Sequence, residues 1–199
     1  MQPVMLRPAA AYRFLAQQPQ PRPALGGAWL GWRRPLLVAV VLGCTMSLIT
    51  SASLTLHLAG PATFYWGFVP LAEIAALAAV CRRTRRTGPF GRTVDLFFAG
   101  HGPWLFWLIG LCGIWSFVPP IQAYDFTRVW LYGAGAIVIV WSAYIDFCFF
   151  RFAMGKKPAR AGGDLLVQRL VSWTIVVAVF GGPAIVPEVA ARLGVSFGP

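Results

Sequence analysis

Val129-Trp-Leu-Tyr-Gly-Ala-Gly-Ala-Ile-Val-Ile-Val-Trp-Ser-Ala-Tyr-Ile-Asp-Phe-Cys-Phe-Phe150 carries one charged side chain, Asp146, and is flanked by Arg128 and Arg151. As a helix it matches the ~20 apolar residues that cross a hydrocarbon core of about 30 Å. It lacks the period-two alternation of a barrel strand, and in lipid a lone backbone must satisfy its own hydrogen bonds, so it reads as a transmembrane helix. Four further stretches follow the same reading: Leu36 to Leu58, Phe64 to Cys81, Leu96 to Val118 and Leu166 to Val186. The second is the shortest. The 199-residue chain is therefore expected to be all-α, a polytopic integral membrane bundle of about five transmembrane helices over residues 36–187. A basic tail, residues 1–35, precedes the bundle, and a short tail, residues 188–199, follows it.

The cations orient this layout. Of the 17 Lys and Arg residues, all but Arg128 and Arg192 fall before the first stretch or are counted with the second and fourth connections, Arg169 standing at the near edge of the fifth stretch. The positive-inside rule makes those segments cytoplasmic, with the N-terminus in and the C-terminus out. Hydrophobic residues make up 58% of the chain and charged residues 12%, a balance foreign to a water-exposed domain. The formal net charge of +11 does not imply nucleic acid, because no nucleic-acid module pattern accompanies it. Beside spans, each cation is worth about 1 kcal/mol against an anionic leaflet. Arg33, Arg34, Arg82, Arg83, Arg85 and Arg86 are the expected lipid contacts, to anionic headgroups on the cytoplasmic side.

The first 35 residues are rich in Pro, Gln and Arg and show no apolar h-region or cleavage site, so the first span is expected to act as an uncleaved signal-anchor. With a composition rich in Arg, Ala and Gly, this points to a bacterial cytoplasmic (inner) membrane. Pro8 to Gln18 reads either as a helical turn on the cytoplasmic interface, through Tyr12, Phe14 and Leu15, or as a disordered tail. The connections are short: Ala59-Gly60-Pro61 is expected to be a tight outer turn, Thr84 to Thr93 a basic loop, and Phe152 to Gly163 a Gly/Lys/Arg-rich loop.

Function is sought among ionisable residues inside the spans, which are costly at depth. Glu73 lies near the bilayer middle; it is either a proton- or substrate-contacting acid or a paired carboxyl bonded to a neighbouring helix. Asp95, His101 and Asp146 share the inner half of the third and fourth spans. They offer an acid-base group or, more simply, charge pairing that fixes helix register. Gly102-Pro103 next to His101 opens the helix ladder and predicts a kink. Gly110-x-x-Gly113 and Gly133-x-Gly135 permit close helix approach. Trp32, Tyr65, Trp66, Trp115, Trp130 and Tyr132 fit an interfacial aromatic belt. Cys44, Cys81, Cys112 and Cys148 are isolated, without metal-ligand spacing, and His57 reads as an interfacial residue at the outer end of the first span. No phosphate loop, H-E-x-x-H, G-x-S-x-G or S-x-x-K is present, so no catalytic, cofactor or metal residue is expected.

Pro8-x-x-x-Tyr12-Arg13-x-Leu15, then Arg33-Arg34-Pro35, then five compact spans with tiny loops, resembles bacterial members of the Yip (Rab-interacting membrane protein) superfamily. Eukaryotic relatives carry an acidic, aromatic tail motif associated with small GTPases, whereas this chain has no acidic residue before Glu73. The resemblance then implies five spans, no enzyme activity and a scaffold or membrane-organising role. The expectation is a non-enzymatic integral membrane protein serving as scaffold, assembly factor or accessory subunit, with lipids and a membrane-protein complex as partners. The alternatives are a small transporter or channel using Glu73 and the His101 region, and a membrane-embedded enzyme using Asp95, His101 and Asp146.

Overall fold

Helices account for almost all of the secondary structure in the computed structural model, which describes residues 4–17, 32–51, 54–84, 89–118 and 120–192; no strand occurs among them. A short α1 (Pro8–Gln17) precedes α2 (Arg33–Ser51), α3 (Leu56–Trp66) and α4 (Phe68–Arg83). After these come α5 (Phe90–Phe98), α6 (Gly102–Phe117), α7 (Pro120–Val129), α8 (Gly135–Cys148) and α9 (Pro158–Arg192). Wider π-helical turns, Trp130–Ala134 and Phe149–Ala153, join α7 to α8 and extend α8.

Four of the described helical units are long and apolar enough to cross a membrane: Arg33–Ser51, Leu56–Arg83, Asp125–Ala153 and Pro158–Val179. The pair α5 and α6, bent by 51°, makes a fifth if counted as one span. The chain thus has the element set expected of an all-helical membrane bundle, with boundaries that differ from those expected, the third and fourth units starting early at Phe90 and Asp125 and three further differences bearing on the site.

The first difference is the end of the first span. Ala59-Gly60-Pro61 is not a turn but lies inside α3, which begins at Leu56 after α2 has ended at Ser51. His57 accordingly begins the second span rather than ending the first. No Asp, Glu, Lys or Arg falls between Leu36 and Phe68, so charge does not mark where one helix ends and the next begins. Secondly, α3 and α4 form one unit, Leu56–Arg83, passing through Gly67 in ordinary right-handed helical backbone. Finally, α9 begins at Pro158, well before Leu166, so Arg169, counted above with the fourth connection's cations, lies about three turns inside a helix.

Close approach needs small residues where helices cross. A Cβ on Gly43 of α2 would collide with the Thr63 backbone of α3, and one on Gly110 of α6 would enter the Trp130 ring. Trp130 also bonds across this contact: its Nε1 donates to Trp107 O at 3.0 Å, and Trp107 Nε1 returns to Trp130 O at 3.4 Å. The sequence suggested an anchoring role for Trp130; in the structure it also fastens α6 to the π-helical turn.

Apolar side chains also cover the outside. Leu56, Phe64, Phe117 and Tyr132 lie far more than half exposed, and α9 turns Leu166, Leu170, Trp173 and Val177 outward. Its inward stripe is Ala161, Asp164, Gln168 and Ser172, all buried and three of them polar. A helix with its polar face inside and its apolar face outside suits a lipid surround, not water. The densest core gathers Tyr12, Leu77, Val80, Phe97, Phe149 and Phe150, and lies at the end of the bundle where α4 stops and α9 starts. This end also carries Arg82, Arg83, Arg92, Arg151 and Lys156, and is called the basic end below.

Candidate functional site

Pro103 breaks the third span. Lacking an amide hydrogen, it cannot donate to the carbonyl of Ala99, and its ring crowds that carbonyl, so the helix stops and restarts with Pro103 in the first turn of α6. The last carbonyls of α5 would then be orphans, yet each has a donor. Asp95 O takes the Ala99 amide at 3.0 Å and Arg34 Nη1 at 2.8 Å; Phe97 O takes the Gly100 amide at 3.0 Å, and Phe98 O the His101 amide at 3.2 Å. Gly100 thereby turns away from Leu96 O, four residues back, and Tyr12 Oη donates there instead at 3.2 Å. The end of one helix is thus capped by a tyrosine 84 residues earlier in the chain.

That contact gives α1 its position. Tyr12 is fully buried, edge-on to Phe149 at 5.7 Å, and burial followed by the nearby Asp146 carboxylate pushes its phenol well above the usual range. It therefore stays an O–H donor. Arg13 sits over the Phe152 ring at 4.3 Å, Arg92 donates to Leu15 O at 3.1 Å, and Trp141 Nε1 donates to Met5 O at 3.0 Å. The Tyr12-Arg13-x-Leu15 element is thus docked into the bundle, not laid on its surface. Gly100 makes room for this: a Cβ there would lie 2.7 Å from Ile145 Cγ2 and 2.8 Å from Tyr12 Oη.

At the break, His101 is buried and stacked on Phe98 at 4.4 Å, with Phe97 edge-on at 5.1 Å. Its Nε2 meets Glu73 Oε2 of α4 at 2.7 Å, while Nδ1 is buried without a partner among the described residues. Glu73 is thus paired with a residue of the neighbouring bent span. Asp146 of α8 pairs with Arg169 of α9, whose Nη2 also donates to Ser142 Oγ at 3.3 Å. The two pairs are near enough for their charges to act on one another. They form one buried polar cluster contributed by α4, the break, α8 and α9.

Asp95 lies outside this cluster. Its Oδ2 pairs with Arg34 Nη1 at 3.0 Å, half-exposed at the basic end, and joins α2 to α5. An acid-base group of Asp95, His101 and Asp146 is therefore not assembled; His101 and Asp146 share a neighbourhood and Asp95 does not. Asp95 pairs with Arg34, and Asp146 with Arg169. Of the expected lipid-contact cations, Arg33, Arg82 and Arg83 are exposed, Arg34 is engaged by Asp95, and Arg85 and Arg86 lie outside the described residues.

Sequence reasoning missed Arg169, Gln168, Asp164 and the capping role of Tyr12. Both polar side-chain atoms of Gln168 and the Oδ2 of Asp164 are sealed without partners among the described residues. Their signal was the three- and four-residue spacing of Ala161, Asp164, Gln168 and Ser172, which continues a helix face through residues read as a loop. Among the described residues no group of three His, Cys, Asp or Glu is placed to hold a metal ion. Comparison of the chain with protein-family models, with curated proteins and with solved structures finds no match.

Proposed function

We propose that this chain is a non-enzymatic integral membrane protein that acts as a scaffold, assembly factor or accessory subunit through helix and lipid contacts. In this reading it crosses a bacterial inner membrane five times, with its basic end and N-terminus in the cytoplasm. The observation that carries it is the disposition of the buried charges. Glu73 with His101, and Asp146 with Arg169, each tie together two elements distant in sequence, so the costly groups serve as fasteners of the bundle. The Yip-like layout belongs to the same proposal, with Tyr12-Arg13-x-Leu15 as the piece that locks the tail to the spans.

A transporter reading draws on one observation, the unpartnered Nδ1 of His101 beside Glu73. Proton flux through proteoliposomes containing the full chain, wild type or Glu73→Gln, separates the two. The scaffold reading expects both to leak no faster than empty vesicles. A flux in the wild type that Glu73→Gln abolishes would replace it with the transporter reading.

A further inference from the structure

At the basic end an open groove of ≈ 550 Å³ separates the last turn of α4 from the first turns of α9. Arg83, Lys156 and Arg160 line it, and none of these has a carboxylate partner among the described residues. Gly163 leaves its wall open, since a Cβ there would meet nothing within 4 Å. Asp164 also lines the groove; it is only 7% exposed, and its Oδ2 is sealed without a hydrogen bond among the described residues.

Two features of this groove call for a ligand of mixed charge. The α9 helix has no acidic residue in its first turn but has Lys156, Lys157 and Arg160 around its start. A helix N-terminus favours anions, so these cations stand where a negative group belongs; Pro158 has no amide hydrogen and the Ala161 amide donates to Lys157 O, which leaves the Ala159 and Arg160 amides with the cations for a phosphate. A buried carboxylate in the same groove repels a second negative charge and wants a donor, which a primary ammonium supplies with charge assistance.

We propose that this groove binds the headgroup of an amine-bearing phospholipid, its phosphate against Arg83, Lys156, Arg160 and the start of α9, and its ammonium on Asp164. A headgroup that is only anionic leaves the carboxylate unmet, and a quaternary amine has no N–H to give it. The inference rests on the membrane reading, because the ligand arrives from the leaflet at the basic end.

The test uses the full chain extracted in mild detergent, exchanged into nanodiscs and read by native mass spectrometry. Lipid retention is compared among phosphatidylethanolamine, phosphatidylcholine and phosphatidylglycerol. Wild type should retain phosphatidylethanolamine at least about tenfold better than either, the size of one charge-assisted hydrogen bond. Asp164→Asn should erase the preference over phosphatidylglycerol, and Arg160→Gln should weaken retention of all three. Gly163→Leu fills the groove while raising helix propensity, so it should abolish retention in a folded protein. Equal retention of the three lipids by wild type, or a preference that survives Asp164→Asn, would overturn the proposal. So would soluble O-phosphoethanolamine binding as tightly as the lipid, which would make a free phosphoamine the ligand. Release of the chain from membranes by alkaline carbonate would defeat the membrane reading itself, whereas retention there without headgroup preference defeats the groove alone.

Discussion

Glu73 and His101 stand 28 residues apart in sequence and 2.7 Å apart in the interior, one on α4 and the other at the break between α5 and α6. The contact fixes the bent third span against the second. It also buries the Glu73 carboxylate against His101 Nε2. Asp146 with Arg169 joins α8 to α9, with the carboxylate buried and the guanidinium partly so.

Asp146→Leu leaves the partly buried Arg169 without its carboxylate and should destabilise the reconstituted protein by about 3 kcal/mol. The double variant Asp146→Leu/Arg169→Met should recover most of that loss, since an apolar pair of similar volume needs no counter-charge. Thermal unfolding in nanodiscs measures both, and a double variant worse than the sum of its singles would show that the pair is not a self-contained fastener.

Tyr12→Phe deletes only the hydroxyl that caps Leu96 O. The loss should be about 1–2 kcal/mol, the cost of a buried carbonyl left unmet. Tyr12→Ala adds a cavity in the aromatic core and should cost about 3–5 kcal/mol. Protease nicking near residues 13–17 should accelerate in the same order. Equal protection of the tail in all three proteins would mean that α1 is held by something other than Tyr12.

Gly100→Ala forces a methyl against Ile145 and Tyr12 and should cost about 1–3 kcal/mol. Gly113→Ala, in the same bent span but facing open space, should be neutral or slightly stabilising because it improves helix propensity. Comparable melting shifts for the two substitutions would contradict the packing described around the break.

Arg34→Gln removes the half-exposed pair with Asp95. Surface ion pairs contribute about 0–1 kcal/mol, so its effect on unfolding should be below about 1 kcal/mol and should shrink further in high salt. A loss as large as that of Asp146→Leu would place Asp95 inside the buried cluster after all.

The fold was legible where apolar composition runs long between cations. Val129–Phe150 and Leu36 onward read as spans because lipid leaves the backbone no other structure. The kink was legible too, because Pro103 acts through local sterics. The end of the first span was not: Gly60-Pro61 is a strong turn signal, yet Pro61 sits in the second turn of α3, and α2 has already ended at Ser51. Of the candidate site, Glu73, His101 and Asp146 stood out by charge against an apolar background. Their partners did not, since pairing across 23 to 28 residues depends on tertiary packing rather than spacing. Arg169 was hidden for a different reason. Counting cations by gaps between apolar runs assigned it to a loop, whereas the buried stripe from Ala161 to Ser172 keeps helical spacing through it.

The most direct test of the fastening role is a double-mutant cycle on Glu73 and His101, with unfolding free energies of wild type, Glu73→Leu, His101→Leu and the double variant in one lipid composition. The account predicts that each single loses about 2–4 kcal/mol and that the two losses overlap by at least about 1 kcal/mol in the double. Strict additivity would contradict it, because two residues that unfold the protein independently do not hold each other in place.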